Sequence, residues 1–439
     1  MWLVFAWEGT VILRLRVPLI LAAFLLLAQT GINTPNILIA PTLPKLDWSR
    51  DGVLSTDAFA LLEVLAKAPE EGLVSDDYNY GQMRQLMLPL MSYQAGTARL
   101  DPETLIRLDA LMTQAFYRYA QDMAEGRLRP DTLKRRETID NPALLQKALN
   151  EKTVSETLLG LSPKHLGYRA LKKELARLRH LDGLGAQPTG PSENQVVLNM
   201  ERWRWLPNDL GKKHIIVNIA DYSLEYFEEG QSVLRMRVAV GRPYRQTPVF
   251  SSPLQAIVLN PSWHVPLRIL TQDLMPKVKK DPGFLKKQKI HVLGPNRWVQ
   301  EPGNLNAMGR IEFVLPNPYD VYLHDTPAGH VFEQEGRAVS SGCIRLEKPF
   351  ELAMQVMKPD PNWTIKKMFT LLEDKKRKNI VVKEPVMVHL LYWTTQVDSE
   401  GRVRYLQDIY GRDKALMDVL TQDAKGRWDS LYASHKGAK

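Results

Sequence analysis

Cysteine is nearly absent from this chain: Cys343 is the one cysteine among 439 residues. A single thiol excludes a disulfide within the chain, the usual use of cysteine in exported proteins. Three roles remain open for it: a small buried hydrophobic residue, an intermolecular link or a reactive thiol. The sequence around Cys343 has to decide between them.

Long apolar runs are also scarce. Residues 17–28 are free of charge and follow Arg14 and Arg16, whereas a membrane span needs about 20 apolar residues. A basic flank before a short apolar run is typical of a secretory signal. We therefore predict that residues 1–30 form a signal peptide or a membrane anchor. Leu26 stands where signal cleavage prefers a small residue, so an uncleaved anchor stays open.

The chain has no large overall excess of charge of one sign. The formal net charge is +9, and acidic residues are interspersed among the basic ones. This excess could draw the protein to an anionic envelope polymer or a membrane surface, although dispersed solvated charge is the favoured interpretation. Because the sequence has no zinc-finger spacing and no basic zipper, we expect no nucleic-acid partner.

The first half of the chain has helical periodicity. Residues 31–54 are rich in proline and predict a linker. From Ser55 onward apolar residues recur at helical spacing, and further helices are predicted at about 104–125 and 164–181. These leucine and aromatic stripes contain no cluster of titratable residues. We interpret residues 55–190 as an all-helical domain.

The second half changes to strands. A stretch with Gly and Pro, residues 186–195, predicts a domain boundary, and short β-branched runs follow it. A basic, irregular segment, residues 266–300, interrupts these strands, and a helix is predicted at 349–357. The fold class is therefore α+β, with a helical domain before a mainly-β domain.

Two motifs in the second half carry chemistry: VYLHDTP (321–327) and SSGCIRL (340–346). A thiol attacks as thiolate, and an imidazole such as that of His324 can take its proton. Gly342 allows a sharp turn that aims backbone N–H groups at a developing oxyanion. Arg345 could lower the thiol pKa or hold a substrate carboxylate. Equally, His324 could be structural and Arg345 a surface charge.

The spacing of these motifs, a His followed 19 residues later by S-x-G-C-hydrophobic-R, resembles the signature of the L,D-transpeptidase catalytic domain of YkuD type. The resemblance extends over about residues 55–415, through NMERWRWLP (199–207), VAVGRPYRQTPVFSS (238–252), NPSWHVP (260–266) and DIYGRD (408–413). It points to the larger, multi-domain Gram-negative branch. It implies a scaffold domain, a catalytic domain at 196–395 with a capping insertion at 266–300, and a C-terminal extension at 396–439.

The resemblance also implies the roles of individual residues. Cys343 is the nucleophile and His324 its base, while Gly342 and Cys343 lie in the oxyanion-forming turn. The remaining residues of the expected substrate cleft are Ser341, Arg345, Tyr322 and Trp263. The sequence departs from the wider family at Ser341, where His is usual, and lacks the pattern of a peptidoglycan-binding module.

The expected activity is ping-pong acyl transfer between peptidoglycan stem peptides, forming 3→3 crosslinks with release of D-Ala in the periplasm, without metal or cofactor. The basic insertion is expected to close over the donor stem and exclude water. An L,D-carboxypeptidase, a lipoprotein-attaching enzyme and a non-catalytic wall-binding scaffold remain alternatives. A zinc peptidase using His324, Asp325 and His330 is a further one, although it lacks a ligand motif such as H-E-x-x-H. Association with the inner membrane through the N-terminus also stays open.

Overall fold

The computed structural model describes residues 46–91, 99–128, 130, 133, 139–183 and 193–421. The predicted export signal at 1–30 lies outside these residues, as do most of the predicted linker, most of the boundary at 186–195 and the end of the C-terminal extension. Within the described ranges, no helix is long and apolar enough to cross a membrane.

Helices build the first half of the described chain, as the sequence predicts. Their bounds are α1 (Thr56–Ala66), α2 (Tyr80–Met91), α3 (Pro102–Glu125), α4 (Asn141–Glu151), α5 (Val154–Leu159), α6 (Leu166–Gly183) and α7 (Glu193–Arg204). The side chain of Ser55 caps α1 by accepting the Ala58 N–H, which is otherwise unpaired at a helix start. The apolar faces of α1 to α5 pack into one buried cluster.

Folded structure begins earlier than the linker prediction allows. Trp48 is fully buried, and its indole N–H donates to Thr113 Oγ1 over 2.9 Å. A hairpin of β1 (Ser49–Arg50) and β2 (Val53–Leu54) follows it. The linker prediction for residues 31–54 is therefore wrong at its C-terminal end, because burial of Trp48 against a distant helix leaves no local signal.

A buried polar network joins the helical region to α7, which leads into the strands. Tyr168 donates to Glu71 Oε2 over 2.6 Å, and Lys172 reaches Glu71 Oε1 over 2.5 Å. The fully buried Arg204 pairs with Glu201 over 3.1 Å and donates to the Tyr168 hydroxyl over 2.8 Å. Because a buried charge is costly unless paired, this network fixes the position of α7.

The second half is a closed β-sheet. Its strands are β3 (Lys213–Asn218), β4 (Ser223–Glu228), β5 (Gln231–Gly241), β6 (Phe250–Leu259), β10 (Ile311–Val314), β11 (Leu323–His324), β12 (Ala338–Ser340), β13 (Ile344–Leu346) and β14 (Lys378–Leu391). They follow the order β12-β5-β13-β11-β10-β6-β14-β3-β4, and β4 pairs again with β5. Eight strands thus form a ring with β12 at its side. The pairs β11–β13, β14–β3 and β12–β5 are parallel.

Alternation along the strands separates the inside of this ring from the outside. Ile311 and Phe313 of β10 are fully buried in the core, and so are Ile344 and Leu346 of β13. The core also receives the helices α11 (Pro349–Met357) and α12 (Ile365–Glu373). The residues between these core positions therefore project onto the opposite face of the sheet.

The basic insertion is folded, in contrast to the irregular segment that its composition suggests. It contains a helical stretch made of α8 (Leu267–Ile269), a π-helical turn (Leu270–Leu274) and α9 (Met275–Lys280), followed by α10 (Phe284–Lys287). A three-stranded sheet completes it: β7 (Trp263–His264), β8 (Ile290–Gly294) and β9 (Arg297–Gln300). Leu270, Leu274, Ile290 and Trp298 form its own apolar cluster. This core is built from single apolar residues spaced among the lysines. The basic composition of the segment therefore gives no sign of it.

The described part of the C-terminal extension packs on the same core as the sheet. It comprises β15 (Thr395–Val397), β16 (Val403–Tyr405) and α13 (Arg412–Thr421). Tyr410, Leu416 and Leu420 belong to the central apolar cluster. Residues up to 421 are therefore part of the β-rich half of the chain.

Candidate active site

Cys343 lies in a tight turn between β12 and β13. Gly342 has φ +124°, a conformation that is open essentially to glycine alone. The Ser340 hydroxyl accepts the Gly342 N–H over 3.0 Å and donates to the Cys343 carbonyl over 2.6 Å. The Gly342 N–H is thus already engaged, whereas the Cys343 N–H has no hydrogen-bond partner among the described residues.

A second set of contacts holds the turn from the side of the C-terminal region. Thr247 donates to the Gly342 carbonyl over 2.8 Å and accepts the Gly241 N–H over 2.9 Å. The Tyr410 hydroxyl donates to the Gly241 carbonyl over 2.6 Å. The nucleophile turn is therefore anchored to the end of β5 and to residues beyond 396.

His324 lies on the strand beside the cysteine turn. In the parallel pair β11–β13, Leu323 is opposite Ile344 and His324 is opposite Arg345. His324 consequently lies on the face that alternation gives to Cys343 and Arg345, away from the core. Side chains at such diagonal positions are within reach of each other. The register therefore places His324 and Cys343 on the same face of two adjacent strands, one position apart along them.

The His324 ring is oriented by the backbone. Its Nδ1 donates to the Asp325 carbonyl over 2.5 Å, which leaves Nε2 as the nitrogen that can accept a proton. Burial and, to a smaller extent, the positive charge of Arg345 together lower the pKa of His324 to about 4, against the opposing effect of hydrogen bonds with the Asp325 and Met308 backbones. At neutral pH the imidazole is therefore neutral, as a general base has to be.

The Cys343 thiol is also neutral at rest. Its Sγ faces the Asp320 carbonyl at 3.7 Å. Burial raises the pKa of Cys343 to about 11, against the opposing effects of the Tyr322 backbone and the Arg345 charge. Because the thiol pKa lies far above that of His324, a resting thiolate–imidazolium pair is disfavoured. Proton transfer from sulfur to Nε2 has to accompany attack on a substrate carbonyl.

Arg345 acts on the thiol with its positive charge, and Arg242 lies near enough to Arg345 to influence it. The Nε of Arg345 is buried and has no hydrogen-bond partner within the described chain. Burial lowers the pKa of Arg345, and the nearby charge of Arg242 lowers it too. A substrate carboxylate would neutralise this charge, since guanidinium groups match carboxylates geometrically.

Ser341 connects the nucleophile turn to the capping insertion. Its Oγ accepts from Nη1 of the buried Arg245 over 2.9 Å. Arg245 Nη2 in turn donates to Asp273 Oδ1 over 2.9 Å and to Gln272 over 2.8 Å, both on the π-helical turn of the insertion. Arg245 therefore clamps the insertion against the residue that precedes Gly342.

The two aromatic residues predicted to line the cleft, Tyr322 and Trp263, lie in different surroundings. Tyr322 is half-buried and directly precedes β11. Its pKa is raised mainly by burial and to a smaller extent by the charges of Asp320, Glu312 and Cys343. Trp263 packs against the apolar cluster of the insertion, so its cleft-lining role stays a prediction. In the described ranges, no three His, Cys, Asp or Glu side chains are grouped to hold a metal ion.

Sequence reasoning missed the residues that support the site. Arg245 and Thr247 stand in the RPYRQTP stretch of the resemblance, which marked them as family-like without giving them a role. Tyr410 lies 67 positions after Cys343 in a segment interpreted as an extension. Their contacts depend on tertiary structure and have no local signal.

Comparison with known proteins assigns both halves of the chain. A family model described as the L,D-transpeptidase catalytic domain (YkuD) matches residues 212–382, and one described as a scaffold domain matches residues 44–175. A Haemophilus influenzae protein, itself an inferred L,D-transpeptidase, is 33% identical over 251 residues, which cover 52% of this chain and 50% of the relative. The chain thus spans about half the length of this curated relative.

Proteins with solved structures share less sequence identity with this chain. An L,D-transpeptidase from Mycobacterium smegmatis is 15% identical, with 40% of this chain and 58% of that chain covered and a TM-score of 0.23. L,D-transpeptidase 3 from Mycobacterium tuberculosis, solved with a faropenem-derived adduct, is 15% identical, with 40% and 60% covered and a TM-score of 0.22. A variant of the Enterococcus faecium L,D-transpeptidase is 11% identical, with 70% and 89% covered and a TM-score of 0.23.

The architecture is that of a β-rich domain preceded by a helical region, the α+β class that the sequence predicts. Residues 212–382 are thus similar to the L,D-transpeptidase catalytic domain of YkuD type, and residues 44–175 are similar to a scaffold domain. The resemblance noted in the sequence is confirmed at this level.

Proposed function

We propose that this protein is an exported cysteine acyltransferase that forms 3→3 crosslinks between peptidoglycan stem peptides. One observation carries the proposal: Cys343 and His324 share a face of the paired strands β11 and β13, and Nδ1 of His324 is bound by the Asp325 carbonyl. This is the arrangement that nucleophilic catalysis requires, with a thiol, a neutral base beside it and a group that orients the base.

In the acylation step, Cys343 Sγ attacks the carbonyl at the L-centre of the donor's diaminopimelate. His324 Nε2 receives the thiol proton and delivers it to the departing D-Ala amine as the C–N bond breaks. The Cys343 N–H is placed to stabilise the oxyanion, a contribution that commonly amounts to several kcal/mol for such donors. Arg345 and Arg242 supply positive charge for a carboxylate of the stem.

In the second step, an amine of another stem attacks the thioester carbonyl. A C–N bond forms, the C–S bond breaks, and the amine proton returns through His324 to sulfur. Water in place of the amine would give an L,D-carboxypeptidase, and an amine carried by a lipoprotein would give wall attachment. The periplasm is the compartment that this substrate requires, in agreement with the basic and apolar pattern of residues 14–28.

The test is incubation of the purified protein with a disaccharide-tetrapeptide, followed by mass analysis of the products. We expect D-Ala release together with a crosslinked dimer. Cys343→Ala should abolish both while the circular dichroism spectrum is retained, because no other thiol can substitute. Full transpeptidase activity in Cys343→Ala would refute the proposal, and release of tripeptide alone would favour the carboxypeptidase.

A carbapenem provides an independent measure of the first step. Its strained lactam carbonyl stands in for the donor carbonyl, and acylation leaves a stable adduct on Cys343. Classical penicillins should acylate the protein poorly, as the family resemblance implies. Intact mass after exposure should increase by one carbapenem, and peptide mapping should locate the increment on Cys343. An increment on another residue would contradict the nucleophile assignment.

A further inference from the structure

An acidic side chain occupies the strand next to His324. In the antiparallel pair β10–β11, Glu312 lies opposite His324, and His324 lies opposite Arg345 in β13. Since Ile311 and Phe313 are buried in the core, alternation puts Glu312 on the face that carries the catalytic pair. Adjacent strands are about 4.8 Å apart, so Glu312 is on the order of 10 Å from the Arg345 strand.

The Glu312 carboxylate has no hydrogen bond or ion pair to any residue that the structure describes, although the residue is half-buried. Burial raises its pKa, while the charge of Arg377 lowers it. Its own negative charge raises the pKa of both Cys343 and Tyr322, which means that it acts electrostatically on the site. Keeping an unpaired carboxylate in such a position costs free energy. It stabilises neither the fold nor the thiolate form of Cys343.

A groove lies on the strands next to Glu312, on the side away from Arg345. Val258 of β6 lies opposite Glu312, and Asn379 of β14 lies opposite Val258. The groove is lined by Gln255, Ala256, Val258, Val314, Arg377 and Asn379, together with three apolar residues between positions 381 and 385. The face of the sheet therefore presents Arg345 on one side of His324 and Glu312 on the other, and the groove beyond Glu312 also carries Arg377.

We propose that Glu312 binds the ammonium group of the acceptor stem and that the acceptor lies in this groove. The assignment rests on the proposed function and deepens it, because it separates the two substrates. The donor stem, with its carboxylates, belongs on the Arg345 and Arg242 side. The acceptor approaches from the β10 side with the one positive group that has to reach the thioester.

The protons balance in this arrangement. The ammonium donates a hydrogen bond to Glu312 and passes one proton to the carboxylate, which yields a neutral amine. The amine nitrogen bonds to the thioester carbon, its second proton passes to His324 Nε2 and then to sulfur, and the C–S bond breaks. Glu312 afterwards releases its proton to solvent.

The experiment measures the ratio of crosslinked dimer to hydrolysed tripeptide, which does not depend on the amount of folded enzyme. Glu312→Gln should lower this ratio and raise the KM for the acceptor by about tenfold, the loss expected for one hydrogen bond to a charged group. Glu312→Asp, which keeps the negative charge, should restore part of the dimer-to-tripeptide ratio. Glu63→Gln, at an exposed position on α1, is the matched control and should leave the ratio unchanged.

Hydroxylamine, which is largely neutral at pH 7, distinguishes charge recognition from a general structural defect. Its attack on the acyl-enzyme should be much less sensitive to Glu312→Gln than that of the stem amine. An unchanged dimer-to-tripeptide ratio in Glu312→Gln, or equal losses with both nucleophiles, overturns the assignment. A wild-type protein that releases no D-Ala from the tetrapeptide overturns the proposed function, and this assignment with it.

Discussion

Replacement of Gly342 by alanine tests whether the backbone of the nucleophile turn is as constrained as its geometry indicates. The φ of +124° lies in a region that is essentially restricted to glycine, where another residue costs about 1–3 kcal/mol. A Cβ added at Gly342 would meet nothing within 4 Å. The penalty is therefore conformational, without a steric clash in addition.

Gly329→Ala is the matched control for this substitution. A Cβ at Gly329 also meets nothing within 4 Å, but its φ lies outside the left-handed region. Such a replacement commonly stabilises a protein by about 0.4–1 kcal/mol, because it restricts the unfolded chain. Free energies of unfolding from urea titrations should thus separate the two variants by about 1–4 kcal/mol.

The same substitution should disturb catalysis if the alanine variant relieves its strain by shifting the turn. Thr247 and Ser340 hold the two sides of Gly342, so the Cys343 N–H and the sulfur would move together. Carbapenem acylation, followed by intact mass, should then slow in Gly342→Ala and stay at the wild-type rate in Gly329→Ala. Equal unfolding free energies for the two variants would refute the argument from backbone strain.

Four further predictions address the catalytic pair and the insertion. His324→Gln should slow acylation by about 10² to 10⁴ with little loss of stability, and equal large losses in both would make His324 structural. Because the pKa of His324 is lowered to about 4, acylation should stay level from pH 8 to about 5 and decline only near pH 4, and a decline centred at 6.5 would contradict this. Because the pKa of His324 is lower in the folded than in the unfolded protein, the unfolded chain takes up a proton at a higher pH. The free energy of unfolding should therefore fall as the pH drops from 6.5 towards 4. Asp273→Asn removes the charge that pairs with buried Arg245, and should destabilise the insertion by about 1–3 kcal/mol and raise the donor KM. Asp281→Asn, which breaks an exposed pair in the same segment, should do neither.

Local patterns predicted the elements that depend on local periodicity. The helix at 349–357 agrees with α11, and the helices beginning near Ser55 and Thr104 correspond to α1 and α3. These segments have caps and apolar spacings that determine structure within a few residues. The strands from 214 to 240 were predictable for the same reason, because β-branched runs alternate with turn residues.

The supporting contacts of the site could not be predicted in this way. Thr247, Tyr410 and Arg245 contact residues that are 95, 169 and 96 positions away along the chain. Nothing in the period of the surrounding sequence encodes such contacts. The capping insertion was misjudged for a related reason: its few apolar residues are scattered among lysines, and they form a core only after the helical stretch and β7 to β9 fold together.

The resting charge state of the site bears on how an exported protein can keep a lone thiol. Oxidants attack thiolates in preference to thiols, and the compartment that this protein is proposed to occupy is oxidising. Burial holds Cys343 neutral, with its pKa near 11, and holds His324 as an uncharged base, with its pKa near 4. The thiol therefore becomes a nucleophile only when a carbonyl is present to accept its electrons and the neighbouring imidazole takes the proton. The positive charge of Arg345 therefore favours substrate binding first and chemistry second, because a bound carboxylate would neutralise the charge that lowers the basicity of His324.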